Sequence, residues 1–319
     1  MLRIRTVILM ITFEAIGYEA VKPTRSLSIQ FILAAIMLGA LYMSATCFND
    51  VADEKIDKVN LAHDETRPLM TTNVTSRQLR NLGIIALTVS MVMAVLISPI
   101  YIIFVLCGAI ISIFYSLPPI QISHRGIFAS LWLPLSYVVL PFLVGAFLQT
   151  QTLDAMSRYI LLAVYVSFIG RILLKDFRDY EGDKKFGKLN FLVRHGPKKT
   201  CFVAVIAWLL GDLIISWSLF KTFPILIILV QPIVIVIMFG LYLLAYEKKY
   251  TQKLLEVIFV GRMGNSIALA LLAALTLQAF HYSTAQKNLT IVAIGAFVSV
   301  SAITLWRDGS LVKDLRDRI

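Results

Sequence analysis

Residues 27–48 read LSIQFILAAIMLGALYMSATCF, and the acidic run NDVADEKID follows at once at residues 49–57. An apolar stretch of this length suffices for an α-helix to cross a bilayer, because about 20 residues rise roughly 30 Å. The composition agrees, since the 319 residues are 58% hydrophobic and 15% charged, with a mean hydropathy of +0.80. The pattern therefore indicates a membrane-spanning helix that ends in a cluster of carboxylates.

Apolar stretches of similar length recur along the chain, and ten of them are candidate spans. Their approximate bounds are 5–21, 27–48, 80–98, 100–117, 127–149, 156–174, 200–220, 223–245, 256–280 and 288–306. The first is the weakest candidate, because Glu14 and Glu19 interrupt its apolar run. We therefore predict an all-α, multi-pass membrane protein with a single transmembrane domain over residues 1–319.

Positive charges are distributed unequally between the two sides that ten spans define. One side receives both termini and carries 25 of the 30 lysines and arginines. Because short cytoplasmic loops retain positive charge, both termini and the long loops near 49–79 and 175–199 are predicted to be cytoplasmic, with the cell membrane as the expected location. The net charge of +11 then reflects topology, and no basic stripe with interleaved aromatic residues indicates nucleic-acid binding.

Both long loops carry aspartates at the same spacing, D-x2-D-x3-D. The first set is Asp50, Asp53 and Asp57, and the second is Asp176, Asp179 and Asp183. Steps of three and four residues bring side chains to one face of a helix. Each set is therefore predicted to form a stripe that continues a span, the second or the sixth, beyond the membrane.

Carboxylates at these spacings repel one another unless a cation neutralises them. Hard oxygen ligands at a membrane exit favour Mg²⁺, which takes one or two carboxylates together with waters and substrate phosphate oxygens. Arg67, Lys175 and Arg178 are neighbouring cations of the kind that bind phosphate. Solvated loop charge is the alternative, and the repeat at two helix exits disfavours it. The 3 cysteines and 4 histidines show no zinc-ligand spacing.

Four motifs in this chain resemble those of the UbiA superfamily of intramembrane prenyltransferases. Residues 49–57 match NDxxDxxxD, and residues 175–187, KDFRDYEGDKKFG, match KDxxDxEGDxxxG. Arg67-Pro68-Leu69 and the run YSLPP at 115–119, with Arg125-Gly126 after it, match two further elements. The chain departs from the pattern at residues 70–73, where a small-Gly turn is usual, and at Asn190-Phe191, where Thr-Leu is usual.

The resemblance implies a bundle of about nine transmembrane helices around a central cavity with a lateral opening to lipid, whereas the charge pattern favours ten. It implies Mg²⁺-dependent ionisation of a polyprenyl diphosphate and attack by a small acceptor, with an aromatic quinone precursor favoured. Carried over by position, the metal ligands would be Asn49, Asp50, Asp53, Asp57, Asp176, Asp179 and Asp183. The catalytic residues would be Asp50, Asp53, Asp176, Asp179 and Tyr115, and the substrate contacts Asn49, Arg67, Lys175, Arg178 and Tyr115.

Several alternatives remain at this point. Within the superfamily the acceptor could be a glycerol phosphate, phosphoribosyl diphosphate or a tetrapyrrole, or the reaction could be a cyclisation. A cation-coupled transporter would instead place its carboxylates near the middle of the bilayer.

Single residues also have alternative interpretations. Tyr115 could be an interfacial tyrosine rather than a residue near the reacting carbon. Glu14, Asp212 and Arg262 fall in or beside apolar spans, where a charge requires a cavity or a partner.

Overall fold

The computed structural model describes residues 4–24, 26–60, 68–71, 74–177, 179–219, 271–272 and 275–276. Within these residues the regular structure is helical, and no strand is present. The helices are α1 (Ile4–Val21), α2 (Ile29–Ala52), α3 (Glu54–Asn60), α4 (Pro68–Thr71), α5 (Ser76–Ile97), α6 (Tyr101–Ser116), α7 (Ile127–Pro134), α8 (Leu140–Phe147), α9 (Ala155–Lys175), α10 (Tyr180–Lys185) and α11 (Phe191–Leu219). A 3₁₀ turn at Ile122–His124 precedes α7, and a π-helical turn at Leu135–Val139 joins α7 to α8.

Five helical segments of the described chain are long and apolar enough to cross a membrane. They are Ile29–Ala52, Ser76–Ile97, Ile127–Phe147, Ala155–Lys175 and Phe191–Ser218, and α6 is a shorter apolar helix. The predicted helical architecture is thereby confirmed for the described residues, and these segments agree with a multi-pass membrane protein. The predicted spans at 223–245 and 288–306, and most of 256–280, lie outside the described residues, so the number of spans stays a prediction.

Polar side chains determine where several spans begin. Ser28 Oγ accepts a hydrogen bond from the Phe31 amide at the start of α2, and Asp154 accepts one from the Ser157 amide at the start of α9. Thr75 and Gln78 form a reciprocal capping box at the start of α5. Each cap satisfies amides that have no partner inside the helix, so the sequence fixes these helix starts locally.

The long apolar helices pack in pairs, and small residues allow close approach. α1 lies against α8, α2 against α5, and α9 against α11. Gly17 and Gly145 form the contact between α1 and α8, since a Cβ at Gly17 would overlap the Phe142 carbonyl oxygen. Ile84 on α5 and Leu213 on α11 are exposed large apolar residues, as expected for faces that meet lipid.

The two long loops contain more helix than the sequence predicted. The first includes α3 and α4, and the second includes α10 and the beginning of α11, which starts at Phe191 rather than near residue 200. Gly196, with φ of 76°, interrupts α11, and Pro197 follows it. A glycine with positive φ ends one helical segment, and the proline after it starts the next. The short segment before Gly196 therefore extends α11 back to Phe191, ahead of the predicted start near residue 200.

The second aspartate set does not form the uninterrupted helical stripe that we predicted. α9 ends at Lys175, a turn carries the chain to Asp179, and α10 begins at Tyr180. The break lets α10 turn and pack against α3, which brings the two acidic loops together. The first set comes closer to the prediction, because only the cap residue Asp53 separates α2 from α3.

Candidate functional site

A cleft opens where the ends of α2, α6 and α9 meet helices α3 and α10. Counted with its open mouth, the cleft contains about 780 Å³ of empty space. Its polar lining at the helix exits is Asn49, Asp53, Asp57, Lys175, Asp179, Asp183 and Lys188. The rest of its lining is Tyr42, Ala45, Thr46, Ile111, Ser112, Tyr115, Ser116, Leu133, Ser136 and Tyr137. The cleft thus combines a charged mouth with a wall of aromatic, aliphatic and small polar side chains.

Two rows of polar side chains face each other across the mouth. We call Asn49, Asp53 and Asp57 the first row, and Lys175, Asp179 and Asp183 the second row. Within each row the residues are four apart, a step that keeps the side chains of the nearly continuous first row on almost one helical face. Each row contributes two aspartates to the cleft.

Asp50 and Asp176 occupy equivalent positions in the sequence repeat, and neither lines the cleft. The Asp50 side chain is buried, and the half-buried Asp176 caps the end of α9. Both belong to the predicted metal ligands and catalytic residues. The structure brings the other five predicted ligands, Asn49 included, to the cleft wall, and these two are not part of its lining.

The first row is connected to α6 by hydrogen bonds. Ser116 Oγ donates to Asn49 Oδ1 at 2.9 Å, and Asn49 Nδ2 lies 3.4 Å from Asp53 Oδ2. With its carbonyl oxygen accepting from Ser116, the Asn49 amide group points its nitrogen toward Asp53. This contact orients the Asp53 carboxylate at the mouth of the cleft.

Lys188 connects the first row to the second. Its Nζ donates to Asp53 Oδ2 at 3.2 Å and lies 3.8 Å from Asp183 Oδ1. Asn190 Nδ2 donates to Asp183 Oδ2 at 2.8 Å, and Asn190 Oδ1 caps α11 by accepting from the Val193 amide. Hydrogen bonds and ion pairs thus run without interruption from α6 to α11, through both aspartate sets.

Sequence reasoning missed Lys188, which it counted only as a cytoplasmic charge. A lysine directly after the last glycine of the second motif is a weak signal. Its partner Asp53 lies 135 residues earlier in the chain. Only the packing of α10 on α3 reveals the pairing.

Burial and mutual repulsion perturb the ionisable groups around the mouth. Burial raises the pKa of the Asp176 carboxyl to about 7, despite the opposing effect of Lys175. Burial likewise raises the pKa of Asp183 to about 6, where Lys188 opposes the shift and Asp179 reinforces it. Burial disfavours the charge of Lys188, but Asp53, Tyr115 and Asp183 outweigh it and raise the pKa of this ammonium. The mouth therefore favours additional positive charge.

The donor set fits Mg²⁺ better than a metal that requires a complete protein cage. Among the residues that the structure describes, no three His, Cys, Asp or Glu side chains are grouped to hold one metal ion between them. Mg²⁺ requires no such group, because it takes one or two carboxylates and keeps waters or phosphate oxygens as its other ligands. Paired acids on facing rows are consistent with cations shared with a phosphorylated ligand.

Aromatic side chains form part of the wall next to this mouth. Tyr115 lies near the end of α6 and lines the cleft, and its predicted place near the reacting carbon stays a prediction. Tyr42 and Tyr137 also line it, with ring centroids 5.9 Å apart in an edge-to-face arrangement. Electron-rich ring faces stabilise nearby cations, so this wall suits an electron-deficient intermediate.

The remaining predicted residues lie elsewhere. Arg67, Arg178 and Arg262 lie outside the described residues. Arg125 donates hydrogen bonds to the carbonyl oxygens of Pro119 and Ile120, so it fixes the turn after α6. Glu14 is fully buried in α1, and its carboxyl oxygens accept no hydrogen bond from the part of the chain that the structure describes. Neither Glu14 nor Asp212 lines the cleft.

Comparison with curated proteins finds relatives that share modest identity with this chain. Digeranylgeranylglyceryl phosphate synthase of Methanosphaera stadtmanae is 24% identical over 274 residues, which cover 79% of this chain and 97% of that protein. The chloroplastic chlorophyll synthase of Arabidopsis thaliana is 28% identical over 182 residues, 54% of this chain and 46% of that protein.

Solved structures share the fold. A UbiA homolog from Archaeoglobus fulgidus bound to GPP and Mg²⁺ matches with a TM-score of 0.64 and 18% identity, over 85% of this chain and 97% of that one. A structure of digeranylgeranylglyceryl phosphate synthase matches with a TM-score of 0.62 and 21% identity, over 86% of this chain and 94% of that one.

The protein family of this chain is identified by a match to a family model. The model of the UbiA prenyltransferase family matches residues 9–259, which contain both aspartate sets and all the described spans. The resemblance seen in the four motifs is confirmed, and with it the class of enzyme. The chain belongs to the UbiA prenyltransferase family.

Proposed function

We propose that this protein transfers a prenyl group from a polyprenyl diphosphate to a small acceptor in a Mg²⁺-dependent reaction. The observation that carries the proposal is the pair of facing rows, which places four aspartates around one mouth beside an aromatic wall. The carboxylates of the mouth would bind the metal ions that a diphosphate requires, and the aromatic wall would stabilise an allylic cation. The UbiA homolog solved with GPP and Mg²⁺ supports the same reading.

The mouth would bind the diphosphate end of the donor. Asn49, Asp53, Asp57, Asp179 and Asp183 would hold Mg²⁺, and Asp50 and Asp176, which the motifs also predict as ligands, would attract it from outside the cleft lining. Bound Mg²⁺ would neutralise the diphosphate and stabilise the charge that develops on it as it leaves. Lys175 would contact phosphate oxygens directly, and we assign the same role to Arg67 and Arg178.

The prenyl chain would extend from the mouth toward the bilayer interior. Tyr42 lies seven residues before Asn49 on α2, which is about 10 Å further along the helix. Ile111 and Leu133 supply aliphatic surface in the same cleft. Tyr115 would lie beside the allylic carbon, where its ring stabilises the cation and the neighbouring apolar residues exclude water.

The acceptor is the least constrained part of the proposal. The leading candidate is an aromatic quinone precursor, whose attack on the cation would form a carbon–carbon bond and release a ring proton. A glyceryl phosphate acceptor is the second candidate, because the relative from Methanosphaera stadtmanae matches over nearly its whole length. Its nucleophile would be a hydroxyl oxygen, and the same mouth would serve either reaction.

The orientation of the site follows from the distribution of charge. We place the mouth on the cytoplasmic side of the cell membrane, together with both termini, because lysines and arginines concentrate on that side. Water-soluble diphosphate product would then leave to the cytoplasm, and the prenylated product would remain in the lipid.

The test is an assay of purified protein in nanodiscs with Mg²⁺ and radiolabelled geranylgeranyl diphosphate. The acceptor panel contains 4-hydroxybenzoate, 1,4-dihydroxy-2-naphthoate and geranylgeranylglyceryl phosphate, and both pyrophosphate and labelled product are measured. We expect Mg²⁺-dependent product with one acceptor class and none with EDTA. Absence of Mg²⁺-dependent pyrophosphate release with donors of several chain lengths would contradict the proposal.

A further inference from the structure

Lys188 occupies an unusual position for a cation in a metal-binding mouth. Only 13% of its side chain is exposed, and its ammonium contacts one aspartate from each row. Asp53 and Asp183 are themselves almost fully buried. A buried ion pair of this kind is strong only where its geometry is fixed.

The backbone around Lys188 fixes that geometry. The Lys188 amide donates to the Asp183 carbonyl oxygen at 2.8 Å, and its own carbonyl oxygen accepts from the Asn190 amide at 2.9 Å. The next carbonyl, that of Leu189, accepts from the Gly126 amide and from Arg194 Nε. The segment is thus attached to α10, to α11 and to the turn before α7, so the side chain has little freedom to withdraw.

The oxygens that Lys188 contacts belong to residues we assign to Mg²⁺. An ammonium and a divalent cation that share a carboxylate repel each other at short distance, and burial weakens the screening. Binding of metal alone must therefore displace the ammonium from Asp53 and Asp183 without giving it another anion. Binding of metal with diphosphate supplies that anion.

We propose that Lys188 is a resident counter-ion that holds the two rows together in the empty site and makes metal binding depend on the diphosphate. In the empty enzyme its ammonium neutralises Asp53 and Asp183. In the loaded enzyme it moves to the phosphate oxygens and so helps position the donor. This inference rests on the proposed function for its assignment of metal and donor to the mouth.

The test measures Mn²⁺ binding to the purified protein by electron paramagnetic resonance, with and without inorganic pyrophosphate. Wild type should bind Mn²⁺ weakly alone and more tightly with pyrophosphate. Lys188→Met should bind Mn²⁺ about tenfold more tightly or better without pyrophosphate, because a competing charge is gone. Its gain in affinity on adding pyrophosphate should be smaller than that of wild type, and Lys188→Arg should behave like wild type.

Lys185→Met is the matched control, since Lys185 is an exposed lysine on α10. It removes the same charge from the same loop and should leave Mn²⁺ affinity within about twofold of wild type. Mn²⁺ affinity in Lys188→Met equal to that of wild type would overturn the inference and leave Lys188 as a structural brace. Should Lys188→Met fail to fold, equal Mn²⁺ affinity of wild type with and without pyrophosphate would overturn it as well.

The two proposals can fail separately. If wild type shows no Mg²⁺-dependent release of pyrophosphate from the donor, the proposed function fails. If that release occurs and Lys188→Met binds Mn²⁺ no more tightly, only the role of Lys188 fails.

Discussion

The first and second rows perform matching tasks with different local structures. The first row lies on an almost continuous helical path, α2 followed by α3, and its two aspartates are buried. The second row crosses a turn between α9 and α10, and Lys175 at its start is exposed. Helical hydrogen bonding therefore sets the backbone of the first row, whereas the second row depends more heavily on contacts made by α10, Lys188 and Asn190. The first half of the site is preformed, and the second half is assembled by tertiary contacts.

The largest effect should come from neutralising one aspartate in each row. Asp53→Asn and Asp179→Asn should each lower kcat/KM by about 100-fold or more, because each removes charge that would hold metal against the diphosphate. The measurement is pyrophosphate release at saturating Mg²⁺. Glu181→Gln, an exposed acid on α10, is the control and should retain activity. A loss confined to one row would show that the rows are not two halves of one site.

A smaller effect is expected for Asp50 and Asp176, which do not line the cleft. Asp50→Asn and Asp176→Asn should lower kcat/KM by roughly tenfold. Their charges would attract the metal ions in the mouth over a distance, without coordinating them. The same assay gives the comparison with the cleft-lining variants. A loss as large as that of Asp53→Asn would mean that these side chains turn into the cleft when metal binds.

These two variants mark how far the sequence predicts the site. The D-x2-D-x3-D spacing identified both loops, and it could not say which carboxylates face the cleft. In the first row that depends on helical phase counted from Asn49, and in the second row on the direction of the turn between Lys175 and α10. The apolar runs predicted α2, α5 and α9 closely, because each is a separate span with its own caps. The turn after Lys175 escaped prediction, since it depends on the packing of α10 against α3.

The different origins of the two rows predict different sensitivity of folding to their anchors. Asn190→Ala should lower the free energy of unfolding by about 2 kcal/mol, because it removes the Asn190 hydrogen bond to the buried Asp183 carboxylate and the cap of α11. Ser116→Ala, which removes one hydrogen bond to Asn49, should cost about 1 kcal/mol. Both are measured by denaturant unfolding in micelles. Equal costs would contradict the view that the second row relies more heavily on tertiary anchors.

The smallest effect is expected for a second lysine that also pairs with an acid beside the first row. Lys58 Nζ lies 2.9 Å from Glu54 Oε1, yet 59% of its side chain is exposed. Lys58→Met should change the free energy of unfolding by less than about 0.5 kcal/mol, because an exposed pair four residues apart gains little over its solvated charges. Activity and Mn²⁺ affinity should stay at wild-type values, since neither Lys58 nor Glu54 lines the cleft. A large change in Mn²⁺ affinity would imply that net charge near the loops, rather than contact with Asp53 and Asp183, governs metal binding. In that event the contacts of Lys188 with Asp53 and Asp183 would give it no special effect on metal binding compared with other lysines near the mouth.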